Sequence, residues 1–158
     1  MKLERRRTEF RVSIEEVNYM NLDINRKRPD KFEKAGRLIL TLLQIQLTFC
    51  KGNFLGIFAD NWALGYIFGF HDSFTRAMGI TDQNESIKIF KDSYEKLFNN
   101  ARTASDILRL SLGLQHEQLF STGVLEGGQE VIHYLKEGCP PIALAKHLRM
   151  KSSGIYAN

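Results

Sequence analysis

The sequence has little cysteine and lacks a long uninterrupted apolar run. Cys50 and Cys139 are its only cysteines among 158 residues, too few for a disulfide framework. In its most aromatic stretch, polar residues confine the apolar run to Trp62–Phe70, whereas a membrane-spanning helix needs about 20 apolar residues. The charged amino terminus is not followed by the apolar segment of an export signal. We therefore expect a reduced, cytoplasmic protein that does not insert into membranes.

Sequence motifs of the common enzyme classes are also missing. Gly127 and Gly128 follow no convincing strand and lack the lysine of a phosphate-binding loop. No serine or cysteine occurs in a nucleophile motif. The sequence therefore favours a non-enzymatic protein without a bound cofactor.

The positive charge is confined to the amino-terminal segment. The formal net charge is +4, and residues 1 to 37 contain 11 Lys and Arg against 7 Asp and Glu, while the other residues contain 11 of each. The two basic clusters are Arg5, Arg6 and Arg7, then Arg26, Lys27 and Arg28. Neither cluster is accompanied by the aromatic residues of a surface that binds single-stranded nucleic acid. We therefore interpret residues 1–30 as a solvated basic arm. A nucleic-acid contact through these six residues is the weaker alternative.

Capping signals divide the rest of the chain into helices. Asp30 with Glu33 predicts a helix that begins near Lys31, and Asp82 with Glu85 predicts one over about residues 83–99. Between them, Asp60 or Asn61 caps a helix that extends to about residue 78. Three further helices are predicted over residues 106–120, capped by Thr103 or Ser105, over residues 129–137, and from Pro141 onward.

These elements predict an all-α fold. We expect a single-domain bundle of five or six helices over residues 31–150, followed by a frayed tail over residues 151–158. The helix over 31–50 is apolar on most of its circumference, so we place it with the helix over 61–78 as a central hairpin. The alternation of Phe10, Val12 and Ile14 leaves room for one short strand in the basic arm.

An aromatic side chain occurs at every fourth position from Phe54 to Phe74. The file comprises Phe54, Phe58, Trp62, Tyr66, Phe70 and Phe74. Core filling is the default interpretation of rings at helical spacing, and a ligand pocket or a self-association surface is the sharper alternative. Gly65 and Gly69 lie on a neighbouring strip, and two glycines in a helix cost stability unless another backbone approaches closely. That backbone is predicted to come from the helix over 31–50 or from a second subunit.

Two histidines invite a chemical interpretation. Glu130 and His133 form an E-x-x-H pair, but a dinuclear site needs two such pairs, so we expect no metal and keep these residues as weak candidates only. His71 interrupts an apolar helix and is a candidate general base or haem ligand. Asp72 is badly placed to orient His71, because adjacent helical residues point about 100° apart. The plainer interpretation is that the helix emerges into solvent here or that these residues hold a buried hydrogen bond.

The sequence thus favours a homodimer that acts through protein contacts, with itself and with an unidentified protein partner. The candidate interface or pocket residues are Phe58, Trp62, Gly65, Tyr66, Gly69, Phe70 and His71. The alternative is a protein that binds an apolar small molecule or haem between the helices over 31–50, 61–78 and 106–120. In that case Trp62, Tyr66, Phe70 and His71 would line the pocket.

Overall fold

The computed structural model describes residues 30–49 and 55–154, which form helices and no strands. The helices are α1 (Lys31–Phe49), α2 (Leu55–Phe58), α3 (Asn61–Ala77), α4 (Gln83–Phe98), α5 (Ala101–Gly113), α6 (Gln118–Glu137) and α7 (Ala143–Ser152). The all-α prediction is confirmed, and the single-turn α2 accounts for the one helix beyond the six predicted. Residues 1–29, with the basic clusters and the possible strand, lie outside the described residues. So do residues 50–54, which include Cys50 and Phe54, and residues 155–158.

Local capping sets two of the predicted helix starts. Asp60 caps α3, because its Oδ1 accepts a hydrogen bond from the Ala63 backbone N–H at 3.0 Å. Asp82 caps α4 in the same way, with the Glu85 N–H at 2.9 Å. Such side chains satisfy backbone donors that have no partner inside the helix. Both predicted caps are therefore confirmed.

The predicted boundaries in the carboxy-terminal half were wrong. The cap of α5 is Asn100, whose side chain accepts from the Thr103 N–H at 3.1 Å. The predicted helix over 106–120 is interrupted, since α5 ends at Gly113 and α6 begins at Gln118. α6 also starts well before the predicted residue 129. It continues through glycines that were interpreted as helix flanks, because those glycines serve helix packing.

The central pair of the bundle is α3 with α6. These two helices share the most extensive contact in the described part of the chain, whereas α1 packs mainly on α4 and also on α7. Gly65 lies opposite Phe120, and Gly69 lies opposite Val124, so the two helices run in parallel. The predicted central hairpin of α1 and α3 was therefore wrong: α3 is central, but its main partner is the parallel helix α6. In the described ranges, no helix has both the length and the apolar character needed to cross a membrane.

Candidate functional site

Four glycines bring α3 and α6 into backbone contact. A Cβ atom on Gly69 would lie 2.1 Å from the Val124 carbonyl oxygen, and one on Gly123 would lie 2.1 Å from the Trp62 carbonyl oxygen. Gly65 and Gly127 are equally close to the facing helix. The predicted close approach exists, but its partner is α6 of the same chain and not α1. This face of α3 is thereby used inside the monomer.

The aromatic file from Trp62 to Phe74 lies along α3, and its inner rings pack in the core. Ring centroids are 5.4 Å apart for Trp62 and Tyr66, and 5.9 Å apart for Tyr66 and Phe70. Tyr66 and Phe70 have no exposed surface, while Trp62 and Phe58 are partly buried at the edge of the core. Core filling thus describes the inner rings. Their predicted role in a ligand pocket or an interface stays a prediction.

A buried polar network surrounds the Tyr66 hydroxyl. Gln46 Nε2 donates to this hydroxyl at 2.9 Å, and the hydroxyl in turn donates to the Glu130 carboxylate. Glu130 Oε1 also accepts from the backbone N–H groups of Ile142 and Ala143, at 2.9 and 3.1 Å. Burial, followed by the nearby Glu130 charge, raises the pKa of Tyr66 far above its ordinary range. The network joins α1, α3 and α6 to the start of α7.

In the structure, Glu130 makes hydrogen bonds to neighbouring helices. Its carboxylate serves as the cap of α7, whereas His133 is exposed to solvent. Among the described residues, no three His, Cys, Asp or Glu side chains are grouped closely enough to hold a metal ion. The sequence shows no sign of the network, because its members are far apart along the chain.

A second polar cluster joins the start of α3 to α7. Asp60 Oδ2 accepts hydrogen bonds from His147 Nε2 at 2.8 Å and from Lys151 Nζ at 2.9 Å. The imidazole of His147 also stacks on Trp62, with ring centroids 4.2 Å apart. Burial of Asp60 raises its pKa, but hydrogen bonds from His147, the Ala63 N–H and Lys151 outweigh burial, so that its pKa is lowered. Asp60 is thus an ionised, buried anchor for α7.

His71 is buried on the other side of α3. Its Nε2 lies 3.0 Å from the backbone carbonyl oxygen of Ser86 in α4, and its Nδ1 has no hydrogen-bond partner among the described residues. Because a carbonyl oxygen only accepts, Nε2 carries the proton and Nδ1 is an acceptor without a donor. Burial lowers the pKa of His71 to about 4. Asp72 forms an ion pair with Arg76 on the surface, at 2.9 Å. It does not orient His71, as predicted from the angle of about 100° between adjacent helical residues.

One side of α6 presents large aliphatic side chains to solvent. Leu125 is 68% exposed, and Ile132 and Leu135 are each 48% exposed. With Ser121 and Gly128 they follow the four-three spacing of a heptad seam. We call these five residues the α6 seam. The seam lies on a different side of α6 from Gly123 and Gly127, which contact α3.

Compared with protein-family models, curated proteins and solved structures, the chain matches none of them.

Proposed function

We propose that this protein acts through protein contacts as a homo-oligomer, with the α6 seam as the surface that binds a second copy of the chain. The observation that carries the proposal is the exposure of Leu125, Ile132 and Leu135 at heptad spacing. Side chains at this spacing pack into the spaces between their equivalents on another helix. We place this assembly in the cytoplasm, because a chain with only two cysteines suits a reducing compartment.

The chemistry of the seam favours a second copy over a charged partner. In a two-fold interface, residues near the axis meet their own copies, so a charge there would face a like charge. No seam residue carries a charge, and Gln129 and Thr122 beside it are also neutral. A Cβ atom on Gly128 would lie 2.8 Å from Ser73 Oγ in α3, so this position packs within the monomer. Leu125, Ile132 and Leu135 therefore form the contact with the second copy.

The predicted interface shifts from the aromatic file of α3 to α6. Gly65, Tyr66, Gly69 and Phe70 are buried within the monomer, so a second copy could reach them only after α6 moved away. The α6 seam needs no such rearrangement. The proposal therefore keeps the homo-oligomer expected from the sequence and changes the residues that form it.

Sedimentation velocity across a range of protein concentrations tests the proposal. We expect a dimer whose population rises with protein concentration. Leu125→Gln and Ile132→Gln should each weaken its association about tenfold, because each removes an aliphatic side chain whose burial in the dimer is worth more than about 1 kcal/mol. Thermal unfolding of the monomer should change little, since both side chains are exposed before association. A wild-type chain that stays monomeric at every concentration would refute the proposal.

Leu119→Gln is the matched control. Leu119 belongs to the same helix and is 62% exposed, but it lies outside the seam. We expect this variant to associate like the wild type. If Leu119→Gln weakens the dimer as much as Leu125→Gln does, general surface hydrophobicity drives association and the seam assignment is wrong.

A further inference from the structure

A groove with a volume of about 780 Å³ opens between α3, α4 and α5, beside α6. Its apolar lining includes Phe68, Phe90, Leu108, Leu112 and Val124. The rest of its lining is polar and includes the charged residues Asp72, Arg76 and Asp82. Small-molecule sites have volumes of about 300–1,000 Å³ with mainly apolar walls and few polar groups. The groove has the size of such a site, and one of its walls is apolar.

His71 lines this groove and has an unmet hydrogen-bond acceptor. The residue lines the groove, is 3% exposed, and has an Nδ1 atom without a partner. A buried polar atom without a partner destabilises the fold, so a donor that reaches this atom binds favourably. Its ring is held by the Ser86 carbonyl oxygen on Nε2 and by an edge contact with Phe90, at 4.9 Å between centroids. The lone pair of Nδ1 is therefore fixed in position.

We propose that the groove binds a small, mainly apolar molecule that carries one hydroxyl or N–H donor, and that Nδ1 of His71 accepts the hydrogen bond from this donor. The apolar walls hold the body of the ligand. Because Nδ1 is out of contact with solvent, lining side chains move when the donor reaches it. The inference does not depend on self-association through the α6 seam.

This groove differs from the pocket expected from the sequence. Only His71 is common to both, because Tyr66 and Phe70 point into the closed core and Trp62 stacks on His147. Phe68, Leu108 and Leu112 replace the predicted aromatic wall. The ligand class is also narrower, since a neutral imidazole acceptor distinguishes molecules with a donor from those without one.

Two probes that differ by one donor test the proposal. 1-Naphthol has a hydroxyl, and 1-methoxynaphthalene has the same rings without a donor. We expect 1-naphthol to bind about tenfold more tightly, because only its hydroxyl satisfies the buried acceptor. In protein with ¹⁵N-labelled histidine, binding of 1-naphthol should shift the Nδ1 resonance of His71, and 1-methoxynaphthalene should not. Equal affinities without a selective shift would overturn the donor assignment.

Variants at the groove locate the site. Leu112 lines the groove and is 52% exposed, so Leu112→Trp should fill the groove and abolish binding of 1-naphthol without disturbing the core. Leu119→Trp places the same change at an exposed leucine that does not line the groove, and it should bind like the wild type. His71→Phe should bind both probes equally.

Three outcomes would overturn the site. They are failure of both probes to bind the wild type, binding that survives Leu112→Trp, and loss of binding in both tryptophan variants. The Leu112 comparison also keeps the test decisive if His71→Phe does not fold. A His71 variant that folds and still prefers 1-naphthol would assign the donor contact to another residue.

Discussion

A Cβ atom on Gly65 would lie 2.0 Å from the carbonyl oxygen of Phe120. This distance is far shorter than any contact between nonbonded carbon and oxygen atoms, so α3 and α6 can pack as they do only because residue 65 is glycine. The same relationship recurs one turn later between Gly69 and Val124, at 2.1 Å. Glycine lowers helix propensity by about 1 kcal/mol relative to alanine, and the close packing of the two helices offsets that cost.

We predict that Gly65→Ala and Gly69→Ala each destabilise the protein by at least about 1–3 kcal/mol. The added methyl group meets backbone atoms, which cannot rotate away as a side chain can, so the two helices must separate. Urea unfolding followed by circular dichroism measures the loss. An unchanged unfolding midpoint in either variant would contradict the packing of α3 on α6.

Gly113→Ala is the control for these glycine substitutions. Gly113 ends α5, and a Cβ atom there would have no neighbour within 4 Å. Alanine favours the helix over glycine by up to about 1 kcal/mol. The control should therefore be as stable as the wild type or slightly more stable, which separates a steric effect from a general effect of replacing glycine.

The hydroxyl of Tyr66 gives a second prediction. Tyr66→Phe removes a donor to Glu130 and an acceptor for Gln46, and it leaves buried polar atoms short of one partner each. We expect a loss of about 1–3 kcal/mol in the free energy of unfolding. Tyr134→Phe makes the same chemical change at a partly buried tyrosine outside this network and should cost less. Equal effects would mean that the network adds no stability.

Local signals in the sequence predict the beginnings of α3 and α4. Asp60 and Asp82 each act on a backbone N–H three residues later, so the interaction is contained in a short stretch that can be read directly. The all-α class follows from several such stretches together. Nothing beyond the neighbouring residues is needed for these features.

Long-range contacts explain what the sequence did not predict. Gly127 was interpreted as a residue before a helix, but its close contact with Tyr66 places it inside α6. The four-residue spacing of Gly123 and Gly127 repeats that of Gly65 and Gly69, and this match was the available signal for the pairing of α3 with α6. The contact of Glu130 with Tyr66 had no such signal, because it depends on the completed bundle.

Acid should weaken the attachment of α7 through Asp60. Burial raises the pKa of Asp60, but the hydrogen bonds from His147, Ala63 and Lys151 outweigh it, so the pKa falls below its ordinary value of 3.8. A carboxyl group whose pKa is lowered on folding stabilises the fold at pH values above its pKa in the unfolded chain. This stability is lost as the pH falls below about 4.

We predict that Asp60→Asn costs about 1–3 kcal/mol at neutral pH, because it replaces charge-assisted hydrogen bonds. It should also flatten the decline in stability below about pH 4. Asp106→Asn is the control, since Asp106 makes only surface ion pairs with Arg102 and Arg109. Urea unfolding at a series of pH values distinguishes the two. A wild-type acid slope that Asp60→Asn leaves unchanged would contradict the role of this carboxylate.

His71 should produce a separate loss of stability on acidification, at pH values above those at which Asp60 acts. Burial lowers its pKa from 6.5 to about 4, so between these values the unfolded chain binds a proton that the folded chain does not. Stability therefore falls as pH decreases from about 6.5 to 4, by about 3 kcal/mol at most.

We predict that His71→Phe removes this slope, whereas His133→Phe, at an exposed histidine, retains it. Urea unfolding midpoints measured between pH 4 and 7 check the prediction. A slope that survives in His71→Phe would show that His71 is not the group that titrates.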